Sequence, residues 1–118
     1  MTEEKETMQQ CMIHPTAIID PQAKIGAGVK IGPYAVIGPH VTIGDGTEIM
    51  AHVVIDGWTT IGKNCRFFPS ASIGSEPQDL KFKGEKSYVI IGDRSVFREY
   101  VTVSRATGEG EETRIGSD

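Results

Sequence analysis

The sequence is poor in the residues that usually build a globular core. Hydrophobic residues fill 38% of its 118 positions and aromatic residues 7%, with one Trp, three Tyr and four Phe. No apolar run is longer than a few residues, whereas a membrane-spanning helix needs about 20, so no membrane span is expected. No block of basic residues occurs and the net charge is −4, which argues against nucleic acid as a partner. The two cysteines, Cys11 and Cys65, are too few for a disulfide framework. The polar opening MTEEKETMQQ has no apolar signal core, so a cytoplasmic location is the expectation. Scarce apolar residues beside 14 glycines fit either disorder or an ordered repeat that buries one residue in every few. The pattern must decide.

The pattern is a repeat of six. From Ile13, steps of six meet Ile19, Ile25, Ile31, Ile37, Ile43, Ile49, Ile55, Ile61, Phe67 and Ile73. The same phase returns at Ile91, Phe97, Val103 and Ile115, and it holds twelve of the fourteen isoleucines. Gly follows the phased residue eight times, as in Gly26, Gly32 and Gly38. Four residues after it comes a small side chain: Ala17, Ala23, Val29, Ala35, Val41, Thr47, Val53, Thr59, Cys65 and Ala71. A period of six matches neither the 3.6 of an amphipathic helix nor the 2 of a half-buried strand. It fits short extended segments joined by tight turns, each sending one large aliphatic inward. Stacked at the parallel-strand spacing of roughly 4.8 Å, such coils place identical residues in interior ladders. The expected fold is all-β, a parallel β-helix whose repeats touch only their neighbours. The period does not reveal its hand.

Two stretches interrupt the phase. Ile73 and Ile91 are eighteen residues apart, but the phased positions between them are Asp79 and Glu85. Two unpaired carboxylates in an apolar ladder would be very costly, so residues 75–88 (SEPQDLKFKGEKSY) read as a protruding loop. Residues 105–112 (RATGEGEE), with Glu109 in phase, read as a second. Long loops on a compact scaffold usually carry function. Residues 1–12 have no phase and read as a polar tail, with the β-helix domain spanning 13–118; Met12 is an alternative start.

The hexads of 13–47 are shared in style by many transferases and identify a fold, not a reaction. The later motifs are sharper. IGSEPQDLKFKGE (73–85) followed by IGDRSVFREYVTVSRAT (91–107) resembles the acyl-carrier-protein-dependent UDP-N-acetylglucosamine O-acyltransferase family, over nearly the whole chain from Met12. The resemblance implies a left-handed β-helix of three hexads per coil, against the usual right-handed rule for parallel crossovers. It implies transfer of a 3-hydroxyacyl chain from acyl carrier protein to the 3-hydroxyl of UDP-N-acetylglucosamine, the first step of lipid A synthesis. It also implies a homotrimer with active sites between subunits, and no cofactor.

By that resemblance, Gln78, Asp79 and Lys81 belong to a substrate loop. Asp79 and Lys81 are two apart, so an extended backbone points both the same way. A carboxylate can accept hydrogen bonds from sugar hydroxyls, and an ammonium can meet phosphate. On residue types alone, a solvated charged loop explains them as well. Arg98 and Arg105 could also serve phosphate, but arginine is common on a solvated β-helix face, and they are set aside. The attacking hydroxyl needs a general base, which the family places on the coil after an IGSD motif. Here IGSD is 115–118, at the end of the sequence. His14, His40 and His52 lie in early repeats and read as exposed scaffold residues, so no catalytic residue is assigned within 1–118. Ser104 and Ala106 also depart from the family pattern. A zinc-dependent carbonic anhydrase of similar fold would need clustered histidines, and these are 26 and 12 residues apart. The alternative that stays open is a β-helix piece that binds nucleotide sugar at most, or another hexapeptide acyltransferase.

Overall fold

The computed structural model describes residues 11–75, 86–105 and 109–117. In them the hexads become strands, three to a coil. The first coil holds β1 (Met12–Ile13), β2 (Ile18–Ile19) and β3 (Lys24–Ile25). The second holds β4 (Lys30–Ile31), β5 (Val36–Ile37) and β6 (Val41–Ile43). The third holds β7 (Glu48–Ile49), β8 (Val54–Ile55) and β9 (Trp58–Ile61). The fourth holds β10 (Arg66–Phe67), β11 (Ser72–Ser75) and β12 (Tyr88–Ile91). The fifth holds β13 (Val96–Phe97), β14 (Thr102–Ser104) and β15 (Glu112–Ile115). Corresponding strands stack into three parallel five-stranded sheets, β1-β4-β7-β10-β13, β2-β5-β8-β11-β14 and β3-β6-β9-β12-β15. The result is an all-β left-handed parallel β-helix, measuring 49 × 25 × 25 Å.

The core is the phased ladder. Ile37, Ile43, Ile49, Ile55, Ile61, Phe67 and Ile73 are all buried, and the small fifth-position residues from Val29 to Ala71 are buried beside them. Where Phe replaces Ile it does so in neighbouring coils, and the Phe67 and Phe97 rings stack at 4.8 Å with their planes 1° apart. The volume change is therefore absorbed by one matched pair. Cys65 occupies a fifth position, fully buried, donating its thiol to the carbonyl oxygen of Gly92 at 3.2 Å. Cys11 packs against the core and donates to Gly26 O at 3.3 Å, and Met12 pairs with Lys30. The ladder thus takes in residues that the phase alone leaves in the lead segment. Both cysteines are free thiols.

The register locates both interruptions. Ile25 pairs with Ile43 and Ile43 with Ile61, steps of eighteen. Ile61 pairs with Ile91, a step of thirty, and Ile91 with Ile115, a step of twenty-four. Twelve extra residues are accommodated between Ser75 and Tyr88, and six between Ser104 and Glu112. Ser75, Tyr88 and Glu112 are themselves in strands. Each excursion is therefore slightly shorter than the charge pattern suggests, because the flanking residues still find ladder partners.

The three corners of the coil are not equivalent. Between the first and second sheets the turn is made by Tyr34, His52, Ser70 and Tyr100, each with φ between 60° and 68°. Between the third sheet and the next coil it is made by Gly28, Gly46, Asn64 and Arg94. These all sit three residues after the phased position and supply the left-handed backbone a tight corner needs. The corner between the second and third sheets lacks that residue. Its positive φ falls instead on Gly57 (67°), Gly74 (79°) and Gly110 (77°), and both excursions leave from it.

Candidate functional site

The corner between the second and third sheets brings together His40, Trp58, Lys86, Tyr88 and Arg105 from four coils. Its outward positions are Gln22, His40 and Trp58 in the first three coils. Trp58 opens β9, directly in register with Tyr88 of β12. The His40 ring stacks against Trp58 at 5.1 Å with an interplanar angle of 12°. From the later coils, Lys86 Nζ lies 5.4 Å from the Trp58 centroid and 5.8 Å from that of Tyr88. The Arg105 guanidinium carbon also lies 5.4 Å from the Trp58 centroid. A cation against an aromatic ring contributes about 0.5–1 kcal/mol at exposed sites and about 2 when desolvated.

Glycine makes this convergence possible. Arg105 belongs to the fifth coil and Trp58 to the third, so its side chain must cross the fourth. A Cβ on Gly57 would stand 2.6 Å from Arg105 Cδ and 2.7 Å from Gly74 O. A Cβ on Gly74 would collide with Asp56 O and with Thr59 Oγ1. With Gly57 bare, the arginine runs along the corner, half-buried.

The two excursions close on each other here. Arg105 N donates to Ser75 O at 2.9 Å, tying the start of the second to the start of the first. Gly110 N donates to Lys86 O at 2.8 Å, and Lys86 N donates to the Glu109 carboxylate at 3.1 Å. Glu109, in phase by count, is exposed and serves this junction. Ser87 is fully buried, and its hydroxyl has no hydrogen-bond partner among the described residues, a cost of about 1–3 kcal/mol. Below the junction, Gln22, Lys24, His40, Thr42 and Trp58 line an open depression of ≈ 320 Å³. A hollow of ≈ 450 Å³ near the first coil, against Cys11, Met12 and Ile31, brings no charges together.

Gln78, Asp79 and Lys81 lie outside the described residues. Their described neighbours, Ser75 and Lys86, stand at this corner. Arg105, set aside on sequence grounds, proves to be one of its organising side chains. Arg98 does not join it: its guanidinium lies 4.2 Å from the Phe68 centroid and its Nε bonds Glu99 at 3.2 Å. The three histidines are exposed, as expected. His14 contacts Thr16 Oγ1 at 2.8 Å, and His52 stacks on Tyr34 at 5.2 Å. Among the described residues no group of His, Cys, Asp and Glu is placed to hold a metal ion. Sequence reasoning missed Trp58, Lys86 and Tyr88. The available signal was a lone Trp beside Gly57 at an outward corner position.

The profile of the GMPPB C-terminal domain matches residues 7–106. The chain belongs to this family. Its sequence relatives include the acyl-[acyl-carrier-protein]–UDP-N-acetylglucosamine O-acyltransferases of Thermodesulfovibrio yellowstonii and Chlamydia caviae. The first is 52% identical over 84% of this chain, the second 50% identical over 90%. The chain spans 38% of the length of each. The crystal structure of LpxA from Acinetobacter baumannii superposes with a TM-score of 0.87 at 50% identity, covering 90% of this chain and 42% of that one. LpxA of Bacteroides fragilis, a UDP-N-acetylglucosamine acyltransferase, gives 0.87 at 47% identity, over 91% of this chain and 42% of that one. The resemblance read from the PQDLK and REYVT motifs therefore extends along the chain and through the fold.

Proposed function

We propose that this chain is part of an O-acyltransferase that moves a 3-hydroxyacyl group from acyl carrier protein to the 3-hydroxyl of UDP-N-acetylglucosamine, opening lipid A synthesis. The observation that carries the reading is identity of about 50% to enzymes of that name over some 90% of the chain. The chemistry is attack of a sugar hydroxyl on a thioester carbonyl. That step needs a base to take the hydroxyl proton and groups to orient the nucleotide sugar. We assign orientation to Gln78, Asp79 and Lys81: the carboxylate accepts from sugar hydroxyls and the ammonium meets phosphate. The base we place outside residues 1–118, since His14, His40 and His52 are spread over two corners and each is engaged with a neighbour.

A homotrimer forms part of the proposal. The outward residues of the second sheet, Ile18, Val36, Val54, Ser72 and Thr102, carry no charge, and Ile18 is 66% exposed. A face of this kind suits contact with another copy. A cytoplasmic location is also part of it, and two free thiols suit a reducing compartment.

The test is acyl transfer from acyl carrier protein to UDP-N-acetylglucosamine, with residues 1–118 and a chain extended by the downstream coils assayed side by side. We expect turnover only from the extended chain, because a general base alone is worth about 100- to 10,000-fold. In the extended chain, Lys81→Ala should raise KM for the nucleotide sugar with little change in kcat, because its charge meets ground and transition states alike. Robust turnover by 1–118 would place the base among residues ruled out above. An unchanged KM would remove Lys81 from the site.

A further inference from the structure

We infer that the open depression below the junction, on the outer wall of the first three coils, is a separate ligand site that takes a small organic phosphate of sugar-phosphate size. The inference goes beyond the acyltransferase reading and does not depend on it.

The repeat itself brings the polar groups together. Lys24 of β3 and Thr42 of β6 are directly in register, so their side chains project from neighbouring strands of the third sheet. Gln22 and His40 flank them at the corner, and Trp58, stacked on His40, closes the upper end. None of these five side chains has a hydrogen-bond or ion-pair partner among the described residues. Their chemistry is one-sided. The ammonium and the indole N–H only donate, and the hydroxyl, amide and imidazole can each donate. No Asp or Glu lines the depression, on a chain whose net charge is −4. Asp20, two residues before Gln22, uses its Oδ1 to accept from Gln22 N at 2.9 Å.

Such a wall favours phosphate over carboxylate. A planar carboxylate is best met by the two-pronged arginine fork, whereas lysine meets phosphate as a point charge. Here the donors sit on separate side chains from three coils, and the charge is a lysine. A tetrahedral oxyanion accepts from several directions at once. A phosphate monoester carries about −1.5 to −2 at pH 7, and a second cation stands at the upper end, with Lys86 Nζ 5.4 Å from the Trp58 centroid. Pro39 and Val41 give the organic part an apolar bed. At ≈ 320 Å³ the space lies at the small end of ligand pockets, about 300–1,000 Å³, which limits the ligand to about the size of a sugar phosphate.

Trp58 is the sole tryptophan of the chain, so its fluorescence reports on the site. Titration of the 118-residue chain with glucose-6-phosphate at constant ionic strength should change that fluorescence along a saturating curve. Glucose should leave it unchanged, and inorganic phosphate should bind about tenfold more weakly, having nothing to lay on Pro39 and Val41. Lys24→Ala should weaken binding of glucose-6-phosphate about tenfold, and Thr42→Val about threefold. Lys63→Ala removes an equally exposed lysine at the corner between the third sheet and the next coil, and should leave binding unchanged. Lys24 and Thr42 are both exposed, so thermal melts of their variants should match the wild type. A response that never saturates would overturn the inference, and so would an equal response to glucose. Equal losses from Lys24→Ala and Lys63→Ala would reduce the effect to overall charge and overturn it too. Inorganic phosphate binding as tightly as the ester would overturn the sugar-sized assignment.

Discussion

Burial decides the chemistry of Cys65. Its surroundings push the thiol above the ordinary value of 9.0, because desolvation outweighs the lowering by hydrogen bonds with the Ser95 and Arg94 backbone and the Thr47 hydroxyl. Native Cys65 should therefore resist thiol reagents at neutral pH and react only on unfolding. The same shift has a stability sign. The unfolded thiol releases its proton near the ordinary value, and the native thiol holds it to higher pH. Its contribution is thus complete below pH 9 and is lost as pH rises further. Thermal melts of the wild type and of Cys65→Ala, a size the neighbouring columns already accept, should keep a constant gap from pH 6 to 8 that narrows above pH 9. A gap that widens with alkalinity would contradict the burial argument.

At the level of the strand, position within the hexad outweighs intrinsic preference. Ile37 and Ile43 are 1% and 2% exposed, whereas Thr42, between Val41 and Ile43 on β6, faces water. Ile37→Asp should lose about 4 kcal/mol or more, since an aliphatic replaced by a smaller residue already costs about 2–5 kcal/mol and the charge adds desolvation. Thr42→Asp should change stability by less than about 1 kcal/mol. Chemical denaturation of the pair measures the contrast, and equal losses would refute the inward assignment. Most of this was legible in the sequence. Steps of six name the inward residues because each coil repeats one backbone path, and in-phase Asp79, Glu85 and Glu109 mark where that path is left. The hand of the coil was not legible from spacing, since a period has no chirality, and it came from the PQDLK and REYVT motifs. Nor was the cluster on Trp58. It depends on Arg105 crossing a whole coil, and nothing in the linear order of Gly57, Gly74 and Arg105 says that these three meet. Gln78, Asp79 and Lys81 were named from the family motif and stand as a proposal.

For the whole molecule, the ladder ends matter most. β1, β2 and β3 form one terminal edge of the three sheets and β13, β14 and β15 the other. At the first coil Met12 is 64% exposed and Ile13 45% exposed. Open edges of this kind invite pairing with another chain. Residues 1–118 alone should therefore associate in a concentration-dependent way, and sedimentation velocity should show the mean mass rising with protein concentration. A sharp monomer boundary at high concentration would count against it. The stacking also has a consequence in time. Most backbone bonds between coils join residues seventeen or nineteen apart, as in Val36 N to Val53 O, and the rest join residues 23 to 31 apart, so no coil needs anything made much later than itself. Each can settle on its predecessor as the chain leaves the ribosome, in the manner of a crystal adding layers to a seed. The longer step from Ile61 to Ile91 adds only about 0.5 kcal/mol of closure entropy. Growth should pass that junction with scarcely a pause, and the slow event is the making of the first seed.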